Sequence, residues 1–197
     1  VANVDDQHGR DFLSYDVEEK LPYSLSDLSL HSLHKDSVSL VFGETTLRVP
    51  LIGLFNVYNL LAAITLTRAL GVKLSTIDTA LRTLPSIKGR VERFPSDPHA
   101  SKQVTAVVDY AHTPDSLEKL YQAFKDEPKV CVLGNTGGGR DTWKRAEMAE
   151  IAERYCDRII LTNEDPYDED PQKILDDMIA GMSSSPRIVM DRREAIR

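Results

Sequence analysis

Residues 104–124, VTAVVDYAHTPDSLEKLYQAF, contain the structural unit from which this chain is built. Val104 to Val108 is a short run of mostly β-branched residues, which favours a strand. Leu117 to Phe124 then spaces its apolar residues as a helix does. The polar loop from Asp109 to Asp115 separates the two. A short strand that leads through a loop into a helix predicts an α/β fold.

The same alternation continues towards the end of the chain. Further strands are predicted at Lys129–Leu133, Arg158–Thr162 and Arg187–Met190, and helices at Trp143–Tyr155 and Pro171–Met182. Strands that alternate with helices at this spacing need crossover connections, which gives a mostly parallel sheet with helices on both faces. Ligands of such sheets bind beyond the carboxyl ends of the strands. The loops that follow the strands are therefore candidate sites.

The chain before residue 85 has a different pattern. Ser37–Leu51 reads as a hairpin at a sheet edge, because apolar residues alternate on both sides of a Gly-Glu turn. A helix is predicted at Asn56–Leu70, with Gly71 as its C-cap, and a shorter one at Ser75–Leu84, with Ser75 as its N-cap. Pro85–Gly89 carries turn formers and no periodic apolar face, so it reads as a linker.

Composition limits the function classes. The chain has 197 residues, 41% of them hydrophobic, and a net charge of −7, so it is a globular protein without the basic surface of a nucleic-acid binder. No apolar run reaches the length of a membrane span, and the first residues lack the apolar centre of a signal peptide. We therefore expect a cytoplasmic protein without membrane insertion. Its length allows two domains, predicted at residues 1–87 and 88–197.

The two cysteines are Cys131 and Cys156. Each lies in an apolar or helical stretch, and a cytoplasmic protein keeps its thiols reduced. We therefore expect two buried thiols rather than a disulfide or a pair of metal ligands.

Gly134 to Asp141, GNTGGGRD, is a glycine-rich turn between a predicted strand and a predicted helix. Free backbone N–H groups and the helix dipole can hold an anion there, although a tight structural turn explains the glycines equally well. The loop is neither a Walker A motif nor a G-x-G-x-x-G motif. Arg140 favours carboxylate recognition, because a guanidinium binds a carboxylate through two hydrogen bonds. A salt bridge from Arg140 to Asp141 is the structural alternative.

The loops after the flanking strands are polar as well. In Asp109–Asp115 a carboxylate at a strand end suits ribose hydroxyls, but Thr113 or Asp115 also suits helix capping, and both roles are compatible. Asn163–Asp170, NEDPYDED, is acidic. Its simplest interpretation is a solvated surface loop, and the functional alternatives are an ammonium-binding pocket or Mg²⁺ ligation by Glu164 and Asp165.

Together these loops resemble the Mur ligases, the ATP-dependent amide-forming enzymes of peptidoglycan assembly. The resemblance is strongest to the MurE-like branch, which adds the third amino acid to UDP-N-acetylmuramoyl-dipeptide. The segment DYAHTPDSL is its most specific part. The matching text, in order, is VANVDDQHGRD at 1–11, GLFNVYNLLAA at 53–63, KGRVERF at 88–94, VVDYAHTPDSLEKL at 107–120, LGNTGGGRDTWKR at 133–145 and LTNEDPYDEDP at 161–171.

The resemblance implies an α/β fold in which the end of a central ATP-binding ligase domain precedes a Rossmann-like C-terminal domain with a mostly parallel sheet. It also implies roles for individual residues. On the nucleotide side, Asn56 and Asn59 resemble the asparagines that hold adenine, Arg90 an arginine that reaches the nucleotide from the linker, and Asp109 the ribose-binding aspartate, with Tyr110 and His112 along the same edge.

On the amino-acid side, Arg140 resembles the arginine that binds a carboxylate of the incoming amino acid. The specificity loop aligns with Glu164, Asp165, Pro166 and Tyr167. Branch members that add meso-diaminopimelate carry Asp-Asn-Pro-Arg there, so the arginine is absent from this chain. Tyrosine cannot grip a carboxylate as arginine does, whereas Glu164 and Asp165 attract an ammonium group. The loop therefore disfavours diaminopimelate and leaves lysine or another amino acid open.

The implied reaction is phosphoryl transfer from ATP to the peptide carboxylate, followed by attack of the amino group on the acyl phosphate. The implied partners are UDP-N-acetylmuramoyl-dipeptide, a free amino acid, ATP and Mg²⁺, and a monomer is expected. The family's P-loop, its Mg²⁺ ligands and its carbamylated lysine would precede Val1, and a Gly-Lys-Gly-His-Glu segment would follow Arg197. We therefore expect a fragment without catalytic or metal-binding residues of its own and without turnover alone.

Two alternatives remain. A catalytically silent relative that binds a nucleotide or an amino acid, or acts as an interaction module, would lack the Gly-Lys-Thr loop upstream. Ligases similar to folylpolyglutamate synthetase share the architecture, but their corresponding segment reads Asp-Gly-Ala-His-Asn-Pro, unlike the DYAHTP at 109–114 here.

Overall fold

The structure of the protein is a computed structural model that describes residues 1–139 and 141–197. The chain forms two compact units, residues 1–109 and residues 110–197, and each has its own hydrophobic core. The domain boundary that the sequence predicts after residue 87 lies within the first unit and stays a prediction.

An antiparallel three-stranded sheet and two packed helices form the centre of the first unit. The hairpin predicted from the sequence is confirmed, but only its second strand lies at an edge, because a strand that the sequence did not reveal pairs with the first. The elements in chain order are β1 (Ala2–Asn3), α1 (Gly9–Ser14), β2 (Pro22–Tyr23), β3 (Leu30–Leu33), β4 (Val38–Phe42), β5 (Thr45–Val49), α2 (Leu54–Ala69), α3 (Leu74–Arg82), β6 (Glu92–Pro95) and β7 (Thr105–Val108).

The core of this unit is formed by alternate residues of two strands and by one face of a helix. Leu40 of β4 stands opposite Leu47 of β5, Val38 stands opposite Val49, and all four are fully buried. Successive side chains of a strand point to opposite faces, so these four share one face. Helix α2 contributes one stripe of buried residues at helical spacing to the same core, namely Val57, Leu60, Leu61 and Ile64.

The predicted helix at 56–70 is confirmed by α2, and Gly71 follows it at φ +84°, the left-handed conformation of a helix-ending glycine. The prediction of Ser75 as an N-cap is wrong. Helix α3 begins one residue earlier, at Leu74, and Lys73 is its N-cap. The carbonyl oxygen of Lys73 accepts hydrogen bonds from the N–H groups of Thr76 and Ile77 at 3.0 and 3.2 Å, which draws Ser75 into the first turn.

Strand β7 is confirmed as a strand, but its pairing differs from the parallel arrangement that the sequence suggested. It pairs antiparallel with β6 in a separate two-stranded sheet, with Glu92 opposite Val108. The connection turns back on itself, because the N–H of Ser96 donates to the carbonyl oxygen of Val104 at 2.7 Å. A nearby antiparallel partner needs no crossover helix.

The second unit carries the predicted parallel sheet. Its strands lie in the order β8, β9, β10, and both neighbouring pairs are parallel. The predicted α/β class is confirmed. The elements in chain order are α4 (Pro114–Ala123), β8 (Val130–Leu133), α5 (Lys144–Tyr155), β9 (Arg158–Leu161), α6 (Pro171–Ile179), β10 (Arg187–Ile188) and α7 (Arg192–Ile196).

Helices α4, α5 and α6 bury apolar residues in one core with β8 and β9. The inward residues of the strands include Leu133 and Leu161, and α5 contributes Met148 and Ala152. Tyr121 of α4 is buried in the same core, and burial raises the pKa of its hydroxyl above the ordinary value. Within the described residues, no helix has both the length and the apolar character needed to cross a membrane.

The expectation of two reduced, separate cysteine thiols is wrong. Cys131 and Cys156 form a disulfide, with a Cα–Cα separation of 6.2 Å. Cys131 lies in β8, and Cys156 ends α5. The chain after α5 comes back beside the start of β8, where Lys129 and Asp157 exchange two hydrogen bonds of 2.7 and 2.9 Å. These bonds hold the two cysteine positions side by side. Separation along the sequence concealed this proximity, which the crossover connection creates.

Candidate functional site

The carboxyl ends of the parallel strands carry an open pocket of about 440 Å³. Thr162, just past β9, donates its N–H to the carbonyl oxygen of Leu133 at 3.0 Å, and the N–H of Val189 donates to Leu161 at 2.9 Å. The strand ends are therefore in register where the loops begin. The pocket is lined from the loops that follow β9 and β10, by Asn163, Glu164, Asp165, Met190, Asp191 and Arg192.

The glycine-rich loop packs directly on the acidic loop. The N–H of Gly137 donates to the carbonyl oxygen of Asp165 at 2.8 Å, and the N–H of Gly139 donates to Glu169 Oε1 at 2.6 Å. A Cβ atom at Gly137 would lie 2.1 Å from the carbonyl oxygen of Pro166. Only glycine allows this approach. Of the alternatives for this loop, close backbone packing is thus established for Gly137, and anion binding stays a prediction.

The buried guanidinium of Arg145 stabilises the arrangement of both loops. Arg145 of α5 is 1% exposed and contacts both carboxylate oxygens of Glu169, at 2.9 and 3.0 Å. Its Nη1 also contacts Asp177 of α6 at 2.8 Å. The hydrogen bond from Arg145, and then that from Gly139, hold the pKa of Glu169 below its ordinary value. The carboxylate of Glu169 therefore stays ionised and ties the end of the glycine-rich loop to α5.

The specificity loop itself is open to solvent at Tyr167. This residue has φ +52°, and its side chain is 67% exposed. Its ring lies beside Gly138, where a Cβ atom would come within 3.4 Å of Cδ2. A bulky residue in the left-handed region is uncommon and marks a constrained turn. Arg140, the predicted carboxylate-binding residue, lies outside the described residues.

The remaining acidic residues of this loop fall into different environments. Asp170 caps α6, accepting from the N–H of Gln172 at 2.9 Å. Asp165 lines the pocket and is exposed, and its carboxylate has no ion-pair partner among residues 1–139 and 141–197. Glu164 lies 3.9 Å from Arg192. In those same ranges, no three His, Cys, Asp or Glu side chains are grouped so that they would hold a metal ion.

The predicted adenine-binding pair lies in the first two turns of α2. The side-chain amide of Asn59 donates to Asn56 Oδ1 at 3.2 Å, and that of Asn56 donates to the carbonyl oxygen of Ile52 at 2.8 Å. The two predicted residues are thus brought together, and the anchor on Ile52 fixes their orientation. Asn59 is exposed, whereas Asn56 is half-buried.

The predicted ribose-binding residue is fixed by the turn that contains Arg90. Asp109 Oδ2 accepts from the N–H of Val91 at 2.8 Å, and Arg90, exposed, directly precedes Val91. Val91 has φ +49°, a strained conformation for a β-branched residue. The N–H of Gly89 also donates to Glu92, at 2.8 Å. Sequence reasoning missed Val91, since nothing in its residue type signals a left-handed turn.

Tyr110 and His112 begin the second unit. Their rings stack at a tilt, with centroids 4.8 Å apart, and the carbonyl oxygen of Tyr110 accepts from His112 Nδ1 at 2.9 Å. Thr113 caps α4 through a reciprocal capping box with Ser116. The predicted capping role of this loop is confirmed for Thr113. Tyr110 is 63% exposed.

These loops match a known family domain. Residues 89–197 match the family model described as "Mur ligase, glutamate ligase domain". The chain belongs to the Mur ligase family. The predicted resemblance is therefore confirmed.

Relatives of this Mur ligase chain carry specific names. A 2,6-diaminopimelate-adding ligase of UDP-N-acetylmuramoyl-L-alanyl-D-glutamate from Thermosynechococcus vestitus is 45% identical over 78% of the chain and 31% of its own length. The ligase of the same name from Trichormus variabilis is 36% identical over all of the chain and 42% of its own. The chain thus spans less than half the length of these relatives. The crystal structure of MurF from Acinetobacter baumannii shares the fold, with a TM-score of 0.74, 21% identity and coverage of 98% of this chain and 43% of that one.

Sequence reasoning missed two arginines of the Mur ligase chain. Arg145 occupies a buried helical stripe with Met148, Ala149 and Ala152, so a charged residue at an apolar position was the available signal. Arg192 begins helix α7. The only sequence feature that could have identified Arg192 was its position directly after the last strand of a parallel sheet, where ligand-binding loops lie.

Proposed function

We propose that this chain is part of an ATP-dependent ligase that adds the third amino acid to UDP-N-acetylmuramoyl-dipeptide in peptidoglycan synthesis. The observation that carries the proposal is the match of residues 89–197 to the Mur ligase domain. The names of the two relatives support a ligase that acts on UDP-N-acetylmuramoyl-L-alanyl-D-glutamate, and both names give 2,6-diaminopimelate as the added amino acid. The close packing of the glycine-rich loop on the acidic loop at Gly137 gives the proposed amino-acid site a fixed frame.

The incoming amino acid is proposed to carry a distal ammonium group. Arg192 is close enough to Glu164 to offset its charge, whereas Asp165 is exposed, lines the same pocket and has no such cationic neighbour among the described residues. Asp165 is therefore the better partner for an ammonium. Tyr167 offers no cation to a distal carboxylate. Both features favour a diamino acid with a single carboxylate, such as lysine, over diaminopimelate, and Arg140 is proposed to bind the α-carboxylate.

The nucleotide residues follow the same proposal. Asn56 and Asn59 are proposed to hold adenine, with Asn59 as the exposed member of the hydrogen-bonded pair. Arg90 and Asp109 are proposed to contact the phosphates and the ribose. Tyr110 and His112 offer an exposed pair of rings along the same loop, and such rings can pack against a nucleoside.

In the proposed reaction, an oxygen of the dipeptide carboxylate attacks the γ-phosphorus of ATP, and ADP leaves. The amino group of the incoming amino acid then attacks the acyl carbon, loses a proton and displaces inorganic phosphate. Mg²⁺, when bound, neutralises charge on the phosphates. The residues of this chain contribute positioning of the amino acid and the nucleotide, which supplies much of the rate in such reactions. No residue of the chain is assigned to the phosphoryl transfer itself.

The test is phosphate release by the complete gene product with ATP, Mg²⁺ and UDP-N-acetylmuramoyl-dipeptide. Lysine, ornithine and meso-diaminopimelate are compared as the third substrate. Release with lysine or ornithine above that with diaminopimelate supports the proposal. Preference for diaminopimelate contradicts the assigned specificity, and absence of release with every amino acid contradicts the ligase function and favours a silent binding relative.

The exchange Tyr167→Arg sharpens the test of specificity. It introduces the missing guanidinium at an exposed position, where the side chain has room. We expect the preference to shift towards diaminopimelate, and Tyr167→Phe, which changes no charge, serves as the matched control.

A further inference from the structure

The side chain of Arg192 spans the carboxyl ends of the parallel strands. Its Nε donates to the carbonyl oxygen of Asn163, just past β9, at 3.0 Å. A Cβ atom at Gly134, just past β8, would lie 2.7 Å from Arg192 Nη2. Arg192 itself follows β10. One guanidinium therefore lies across the ends of all three strands of the sheet, at the edge where the pocket opens.

The same guanidinium faces the specificity loop. Arg192 Nη2 lies 3.9 Å from Glu164 Oε2, and the two side chains are 46% and 36% exposed. A pair this long and this exposed contributes little to the free energy of unfolding. Its consequence is local, because the guanidinium lies beside the Glu164 carboxylate and offsets its charge. The hydrogen bond to Asn163 fixes the backbone at the start of the loop.

The loop is held from its other side by the glycine-rich turn. The carbonyl oxygen of Asp165 accepts from Gly137, so the backbone is anchored at Asn163 and again two residues later. Asp165, whose backbone carries the second of these anchors, lines the pocket. If one of the two anchors is removed, only the other still fixes the position of the Asp165 carboxylate. A catalytic or binding group depends in this way on the residues that fix its orientation.

We propose that Arg192 is a positioning residue for amino-acid selection, because it holds the loop 163–167 through the Asn163 carbonyl and the Glu164 carboxylate. The inference deepens the proposed function and rests on it for the identity of the ligand. A Cβ atom at Gly134 would lie 2.6 Å from the carbonyl oxygen of Thr162 as well as 2.7 Å from Arg192 Nη2, so both the backbone and the guanidinium occupy the space beside this glycine. Arg192 does not itself contact the reacting atoms.

The experiment compares Arg192→Gln with Arg193→Gln in the complete gene product. Arg193 is the matched control, because it is the adjacent exposed arginine of α7 and forms no hydrogen bond or ion pair within the described residues. Hydrogen exchange of residues 163–169 is measured without substrates, and KM and kcat are measured for the amino acid and for ATP.

For Arg192→Gln we expect faster exchange in the loop and an amino-acid KM raised about tenfold, the change that about 1.4 kcal/mol represents. The KM for ATP stays within about twofold, because the contacts of Arg192 hold the loop proposed to select the amino acid. Arg192→Lys keeps the charge but not the forked donor, so it restores part of the loss. Arg193→Gln resembles the wild type in every measurement.

Equal exchange and equal KM values in the two glutamine variants would overturn the proposal. A uniform loss of kcat with unchanged KM ratios would also overturn it, since a merely structural role predicts that result. If Arg192→Gln fails to fold, Glu164→Gln provides the same comparison, with a smaller rise in amino-acid KM. If the wild type shows no ligase activity, the proposed function fails, while loop exchange still decides whether Arg192 holds the loop.

Discussion

The exchange Gly137→Ala tests how tightly the glycine-rich loop is packed on the specificity loop. The added Cβ would lie 2.1 Å from the carbonyl oxygen of Pro166 and 2.7 Å from its carbonyl carbon. An ordinary C···O contact is about 3.3 Å, so the two backbones must separate by about 1 Å. The hydrogen bond from Gly137 to Asp165, 2.8 Å long, is then too long to persist.

Two effects lower the free energy of unfolding of Gly137→Ala. The lost hydrogen bond is worth about 1 kcal/mol, and the residual strain of overpacking adds about 1–2 kcal/mol. The free energy of unfolding should therefore fall by about 2–3 kcal/mol, which lowers the midpoint of thermal unfolding by roughly 10 °C for a domain of this size. Circular dichroism during heating, together with urea unfolding at constant m-value, measures the change.

Gly139→Ala is the matched control. Gly139 has φ +69°, but no atom lies within 4 Å of its added Cβ, so this variant carries only the cost of a left-handed alanine, about 1 kcal/mol. The reasoning is refuted if Gly137→Ala is as stable as the wild type, or if it loses no more stability than Gly139→Ala.

Three further predictions concern the second unit. Arg145→Met removes a guanidinium that is 1% exposed and should cost about 3 kcal/mol, whereas Arg154→Met, at an exposed ion pair, should cost less than about 1 kcal/mol in the same urea titration. The four hydrogen bonds that Glu153 accepts lower its pKa from 4.5 to about 2. Its contribution is therefore present above pH 4.5 and lost as the pH falls towards 2. Glu153→Gln should be less stable at neutral pH and should show a shallower loss in acid, and parallel pH profiles would contradict this. Reduction of the Cys131–Cys156 disulfide, which spans 25 residues, should lower stability by about 3 kcal/mol, and calorimetry with and without dithiothreitol measures it.

Much of the fold was predictable because its signals are local. The alternation of Leu40 with its neighbours and the spacing of Leu60 and Leu61 are readable from a few adjacent residues. The pairing of β7 was not, because a strand of β-branched residues carries no mark of its partner. The disulfide was missed for a related reason, since the proximity of Cys131 to another cysteine depends on the path of a helix between them.

The loops of the candidate site were predictable from the sequence, but the arginines that hold these loops were not. The loop that contains Glu164 and Tyr167 followed from strand order and from resemblance to the family. The environment of Glu164 did not, because its cationic neighbour Arg192 lies far along the sequence. Arg145 was missed because a buried charge is stabilised by partners that only the tertiary structure supplies.

The disulfide between Cys131 and Cys156 also makes the glycine-rich loop part of a closed covalent ring. The ring contains the end of β8, the whole loop and all of α5. A protease that cuts one peptide bond in the loop therefore leaves a single molecule of unchanged mass apart from one added water. The two pieces separate on an electrophoresis gel only after a reductant opens the ring.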